Sequence, residues 1–244
     1  MQELGSTRSA SKPTHLLQTP DAFVRIRLPG MSRAMAIVHA SPAIGARFSQ
    51  YTAEMEGGGT LGPTSAQRFV YVLNGTATVT ISGEEHALER GGFAYLPEGS
   101  VHGVVATAES RIEVIEKRYL AVEGQPAPEP VIGDESNVPS QPLMGDAGLQ
   151  VRSLLPDSTD FDFAVNTMEY EPGAALGMVE MHVMEHGLLM LQGGGIYRLA
   201  HDWYPVSSGD FIWMAPYCPQ WFGALGKEPA RYLIYKDWNR NPLD

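Results

Sequence analysis

EMHVMEHG, residues 180–187, gathers Glu180, His182, Glu185 and His186 into seven positions. Read on a helix, His182 and His186 stand at i and i+4, as in zinc proteases, but that pattern wants Glu beside the first histidine. The neighbours here are Met181 and Val183. Read as a strand end and turn, Glu180 and His182 are two apart and project to one face. His186 then converges on them from a turn or the next strand. The rest of the chain decides for the strand.

The 244 residues include 26 glycines and 18 prolines, too many for a mostly helical fold and suited to short strands with tight turns. No amphipathic helical period is sustained, whereas TATVTIS (76–82) alternates small or polar with apolar residues. The chain also repeats itself. Phe48, Thr52, Glu54, Glu56 and Gly58 recur 115 residues later as Phe163, Thr167, Glu169, Glu171 and Gly173. Gly75 and Gly91 recur 118 residues later as Gly193 and Gly209, so about three extra residues fall between Gly173 and Gly193. EMHVMEHG lies in that insertion, and insertions on a fixed scaffold carry function. Prolines 126, 128, 130, 139 and 142 mark a linker. The expected organisation is all-β, a first barrel or sandwich over 1–120, a linker over 121–148 and a similar second one over 149–244.

A net charge of -11 argues against nucleic-acid and anionic-membrane partners. One cysteine, Cys218, precludes an internal disulfide, and no run of 18 apolar residues is present. With no leader-like apolar segment at the N-terminus, the expectation is a soluble cytoplasmic protein. An uncovered edge strand is a liability, which leads us to expect a homodimer or a larger even-numbered homo-oligomer.

The spacing Gly173, Glu180, His182, His186, Gly193 resembles the first motif of the cupins, and Gly91, Pro97, Gly99, His102 resembles the second. The resemblance implies an all-β bicupin of two tandem jelly-roll barrels. Transferred at the 118-residue shift, the slot of His102 falls on Gln220. The metal set becomes Glu180, His182, His186 and Gln220, a mixed nitrogen and oxygen site without thiolate. Such a set suits Mn(II), Fe(II), Ni(II) or Zn(II), and the oxygen donors tilt it toward Mn(II) or Fe(II). In the first half Arg68 stands where His186 stands in the second, so His102 lacks partners for a metal. It is read as structural or pocket-lining, and its barrel as a metal-free scaffold.

EMHVMEHG, GGGIYRL, DWYPVSSGDFIWM and YLIYKDWNR, taken in series, resemble the (S)-ureidoglycine aminohydrolase family. The resemblance implies one Mn(II) per chain at those four residues. It also implies a small-molecule ureide substrate held by Tyr197, Tyr232, Lys236 and Gln220, and release of ammonia in allantoin and purine-ureide breakdown. Glu180 and Lys236 become the candidate catalytic groups. Tyr232, Ile234 and Lys236 alternate, so one strand face carries both a tyrosine and a lysine, and an inward lysine wants an anion such as a substrate carboxylate. The rival readings are an Fe(II) cupin dioxygenase and a non-catalytic bicupin that binds small molecules.

Overall fold

The computed structural model describes residues 7–240. Among them there is no α-helix: 21 strands are joined by turns and three short 3-10 segments. All pairings are antiparallel. The chain divides into two compact units.

The unit holding most of the second half is built on an eight-stranded sheet. Its order is Ala10–Lys12, His15–Gln18, Phe211–Met214, His186–Gln192, Ala230–Asp237, Phe163–Tyr170, Asp146–Ser153 and Gln141–Leu143. A three-stranded sheet, Asp202–Ser207, Gly194–Leu199 and Gln220–Ala224, completes it. Leu188, Met190, Ile212 and Met214 from the first sheet and Tyr197, Leu199 and Phe222 from the second share one buried core. Along these strands every second side chain points into it, as the pleat requires.

The other unit is a ten-stranded sheet in which Ser49–Thr60 pairs with both Ser110–Lys117 and Ser32–Ala40. Its core includes Ala53, Val70, Val72, Val79, Ala94, Ile112 and Val114.

The repeat is visible in the backbone. Gly75 and Gly193 both have positive φ, +80° and +62°. A Cβ on Gly75 would lie 2.3 Å from the Glu109 carbonyl oxygen, and one on Gly193 would lie 2.6 Å from that of Pro229. Only glycine fits, because the returning strand runs against the turn at both places.

The unit boundaries differ from those expected of the sequence. Residues 7–23 group with the second-half unit, and Leu154–Asp162 groups with the first-half unit. Hydrogen bonding accounts for both. Leu16 and Leu17 pair with Trp213 and Ile212, and Arg8 makes a forked pair with the buried Asp210, at 2.7 and 2.9 Å. In the other unit, buried Asp162 is ion-paired to Lys117 and accepts from Gln67 at 2.6 Å. The proline-rich stretch expected to be a linker is also partly ordered into sheet. Val131–Asp134 pairs with Gly92–Leu96, and Gln141–Leu143 pairs with Asp146–Ser153.

Candidate active site

EMHVMEHG spans a loop and a strand start. Glu180 is fixed by two backbone hydrogen bonds to Gln220, of 2.8 and 2.9 Å, and His186 opens the strand His186–Gln192. The helical alternative is therefore excluded, and Glu180 and Gln220, 40 positions apart, are placed side by side.

A cavity of about 220 Å³ opens within this unit. Glu180, His182, His186, Tyr197, Gln220, Tyr232 and Lys236, all seven residues expected at the site, line it. His182 Nε2 lies 3.3 Å from His186 Nε2 and 3.0 Å from the Gln220 amide nitrogen. Burial lowers the pKa of both histidines, that of His186 strongly, with Lys236 adding to the effect. Both imidazoles are thus neutral at ordinary pH and offer lone pairs, the form a metal ligand needs. Two nitrogens aimed at one point beside an amide, with no thiolate nearby, fit a borderline divalent cation.

The carboxylate of Glu180 shares the cavity but does not close a cluster with the histidines. Among the described residues no three His, Cys, Asp or Glu side chains stand together as a metal-holding group. The convergent set is two imidazoles and an amide, with Glu180 alongside. Burial raises the Glu180 pKa, and the charge of Lys236 opposes that rise. A half-buried carboxylate held toward neutrality is suited to taking and giving a proton.

The other walls come from strand pairing. Tyr232, Ile234 and Lys236 face inward from one strand, opposite Met168, Asn166 and Ala164 of the next. The Lys236 ammonium stands 4.5 Å from the Trp238 ring centroid, a cation–π contact that limits where it can reach. Tyr232 and Tyr170 share a hydroxyl–hydroxyl hydrogen bond of 2.8 Å, and the Tyr197 hydroxyl donates to Gln220 Oε1 at 3.2 Å. Burial pushes all three phenols up, so they stay protonated.

Asn166, Met168, Leu176, Met184 and Trp238 also line the cavity and were not read from the sequence. Strand parity would have found three of them. In FAVNTMEY, Asn166 and Met168 are two apart and share a face with each other. Trp238 lies two beyond Lys236. Leu176 and Met184 sit in loops, where no period exists to betray them. Cys218 is buried, and its thiol pKa is pushed up by that burial.

The corresponding place in the first-half unit is filled differently. The Arg68 guanidinium donates to Glu116 Oε1 at 2.6 and 2.8 Å and to the Gly62 carbonyl at 2.8 Å. It lies 3.3 Å from His102 Nε2. His102 is also tied through Nδ1 to Ser100, and burial lowers its pKa.

Known proteins resemble this chain in sequence and in fold. Residues 43–119 match the family of EutQ-like cupin domains. The chain is 42% identical to a protein of Oryza sativa subsp. japonica named "Probable (S)-ureidoglycine aminohydrolase", over 100% of this chain and 79% of that one. It is 40% identical to the (S)-ureidoglycine aminohydrolase of Arabidopsis thaliana, over 100% of this chain and 82% of that one. The crystal structure of protein Ylba from E. coli superposes with a TM-score of 0.86 at 32% identity, covering 97% of this chain and 96% of that one. With identity at this level over nearly its whole length, the chain belongs to the (S)-ureidoglycine aminohydrolase family of bicupins.

Proposed function

We propose that this chain hydrolyses (S)-ureidoglycine to (S)-ureidoglycolate and ammonia. One observation carries the reading beyond kinship. His182, His186 and Gln220 converge in the same cavity that holds a carboxylate with a raised pKa, Glu180, and a cation, Lys236. The rice and Arabidopsis relatives bear the name of this activity.

His182, His186 and the oxygen of Gln220, once that amide turns it from Tyr197 toward the histidines, would hold one divalent cation with Glu180 beside them, for which we propose Mn(II). When bound, it would supply Lewis acidity to a substrate donor or to water. The remaining work belongs to the chain. Lys236, braced over Trp238, pairs with the substrate carboxylate. The buried hydroxyls of Tyr197 and Tyr232 stay protonated and orient the bound ureide. A Glu180 oxygen takes a proton from water as the hydroxyl is delivered to the carbon. It then returns that proton to the departing amine, which leaves as ammonia. A carboxylate whose pKa is raised by burial performs both halves of that exchange better than an ordinary one.

Ammonia release from freshly generated ureidoglycine tests the reading. Chelated protein should be inactive and protein refilled with Mn(II) active. Refilled protein that releases ammonia no faster than buffer refutes it.

A further inference from the structure

The strand Phe163–Tyr170 carries one amide into the cavity. Asn166 is 5% exposed, lines the cavity and pairs across the sheet with Ile234, between the inward-facing Tyr232 and Lys236. Its Nδ2 donates to Ser153 Oγ at 3.0 Å, which fixes the plane of the amide. Its Oδ1 is buried and has no hydrogen-bond partner. A buried acceptor left unpaired costs roughly 1–3 kcal/mol, so it calls for an explanation, and in the lining of a binding cavity a bound partner supplies one. Oδ1 accepts only, so the ligand group it awaits is a donor. The other polar groups of the cavity have roles already: Lys236 for an anion, Glu180 for a proton, the two histidines with Gln220 for the cation, and the Tyr197 and Tyr232 hydroxyls, engaged with Gln220 and Tyr170, for orientation. None of these is an acceptor set aside for an uncharged N–H.

We propose that Asn166 is a specificity-determining residue whose Oδ1 accepts a hydrogen bond from the terminal N–H of the substrate's carbamoyl group. This rests on the ureidoglycine reading above. Ser153 acts as its positioning residue, since it holds the amide with the oxygen turned away from itself. A site that hydrogen-bonds a substrate N–H rejects an analogue that lacks it, because the buried acceptor is then left bare.

Two unreactive probes isolate the contact. N-carbamoylglycine carries the terminal NH₂, and N-acetylglycine replaces it with a methyl group of similar size. Calorimetric titration of the Mn(II)-loaded protein should show the carbamoyl compound binding about tenfold tighter, the worth of one buried neutral hydrogen bond. Asn166→Leu should bind both probes alike, with its affinity for N-acetylglycine and its metal content unchanged. Its KM for ureidoglycine should rise about tenfold with kcat nearly constant. Asn166→Ala, which asks less of the packing, should also lose the preference. Asn166→Asp keeps an acceptor at the same place and should keep the preference, even though its charge weakens both probes. Equal binding of the probes by the unaltered protein, or a preference that survives in the Leu and Ala variants, overturns the proposal. Loss of the preference in Asn166→Asp overturns the assignment of Oδ1 as acceptor. The ammonia assay is a separate readout: an unaltered protein that releases no ammonia refutes the activity, whatever the probes show.

Discussion

Glu113 offers a direct measure of what burial does to a carboxyl group in this fold. It is fully buried on the strand Ser110–Lys117, and accepts from Thr52 Oγ1 at 2.7 Å and from Gln50 Nε2 at 2.9 Å. Thr52 in turn meets His39 Nε2 at 2.8 Å. Burial raises the Glu113 pKa from 4.5 to about 7, although the two hydrogen bonds and the charge of Arg111 oppose it. Below pH 4.5 the carboxyl is protonated in both the folded and the unfolded chain and has no differential effect. Between 4.5 and about 7 the folded chain still holds a proton that the unfolded chain has released, so stability falls as pH rises. Above about 7 the loss is complete, and at 1.36 kcal/mol per pKa unit it amounts to about 3 kcal/mol. Glu113→Gln removes the titration. Its amide oxygen accepts from Gln50, its amide nitrogen donates to Thr52, and the Thr52 hydroxyl turns to His39. That ring is neutral because burial lowers its pKa to about 3. By differential scanning calorimetry the variant should match the unaltered protein near pH 4 and melt about 6–12 °C higher near pH 9. A gap between the two melting curves that stays constant across that range would refute the reasoning.

Glu180→Gln keeps an oxygen for the cation but cannot accept a proton. With Mn(II) in excess it should still bind substrate and turn it over at least about a hundredfold more slowly, and near-normal turnover would move the proton to another group. His182→Ala or His186→Ala should strip the cation from a protein that otherwise carries about one per chain, as read by elemental analysis of dialysed samples. About two per chain in the unaltered protein would mean that the barrel containing Arg68 and His102 also binds metal. Sedimentation velocity should show a homodimer or a larger even-numbered assembly, and a monomer at working concentration would exclude it.

Much of the fold was legible because its signals are local or repeated. Period-2 alternation, the paired glycines and the ligand spacing each depend on a few adjacent residues, and the structure places all seven expected residues in one cavity. The features that escaped depend on partners far away in sequence. Nothing in HLLQ announces that it pairs with FIWM, because the match is one of backbone registry and any apolar strand would serve. Asp162 joins the first-half unit through Lys117 and Gln67, and no short window contains that ion pair. Asn166 reads as one polar residue in a strand, and its meaning appears only when the facing strand puts Tyr232 and Lys236 beside it. The repeat alone puts Arg68 in the slot that His186 fills in the second half. That its guanidinium would bridge to His102 and Glu116 required the fold.

The early strand His15–Gln18 sets a timetable for the nascent chain. Its Leu17 is fully buried, and the backbone it faces, at Ile212, is made about 195 residues later. At synthesis rates of roughly 5–20 residues per second, that partner follows after about 10–40 seconds. Throughout that interval this apolar strand has only its hairpin neighbour Ala10–Lys12 to pair with and its other edge stays open, while the sheet built on Ser49–Thr60 acquires all its own strands. A chain that stalls before Met214 therefore carries a completed first sheet and an unclaimed strand ahead of it, the kind of segment that chaperones hold and that neighbouring nascent chains can capture.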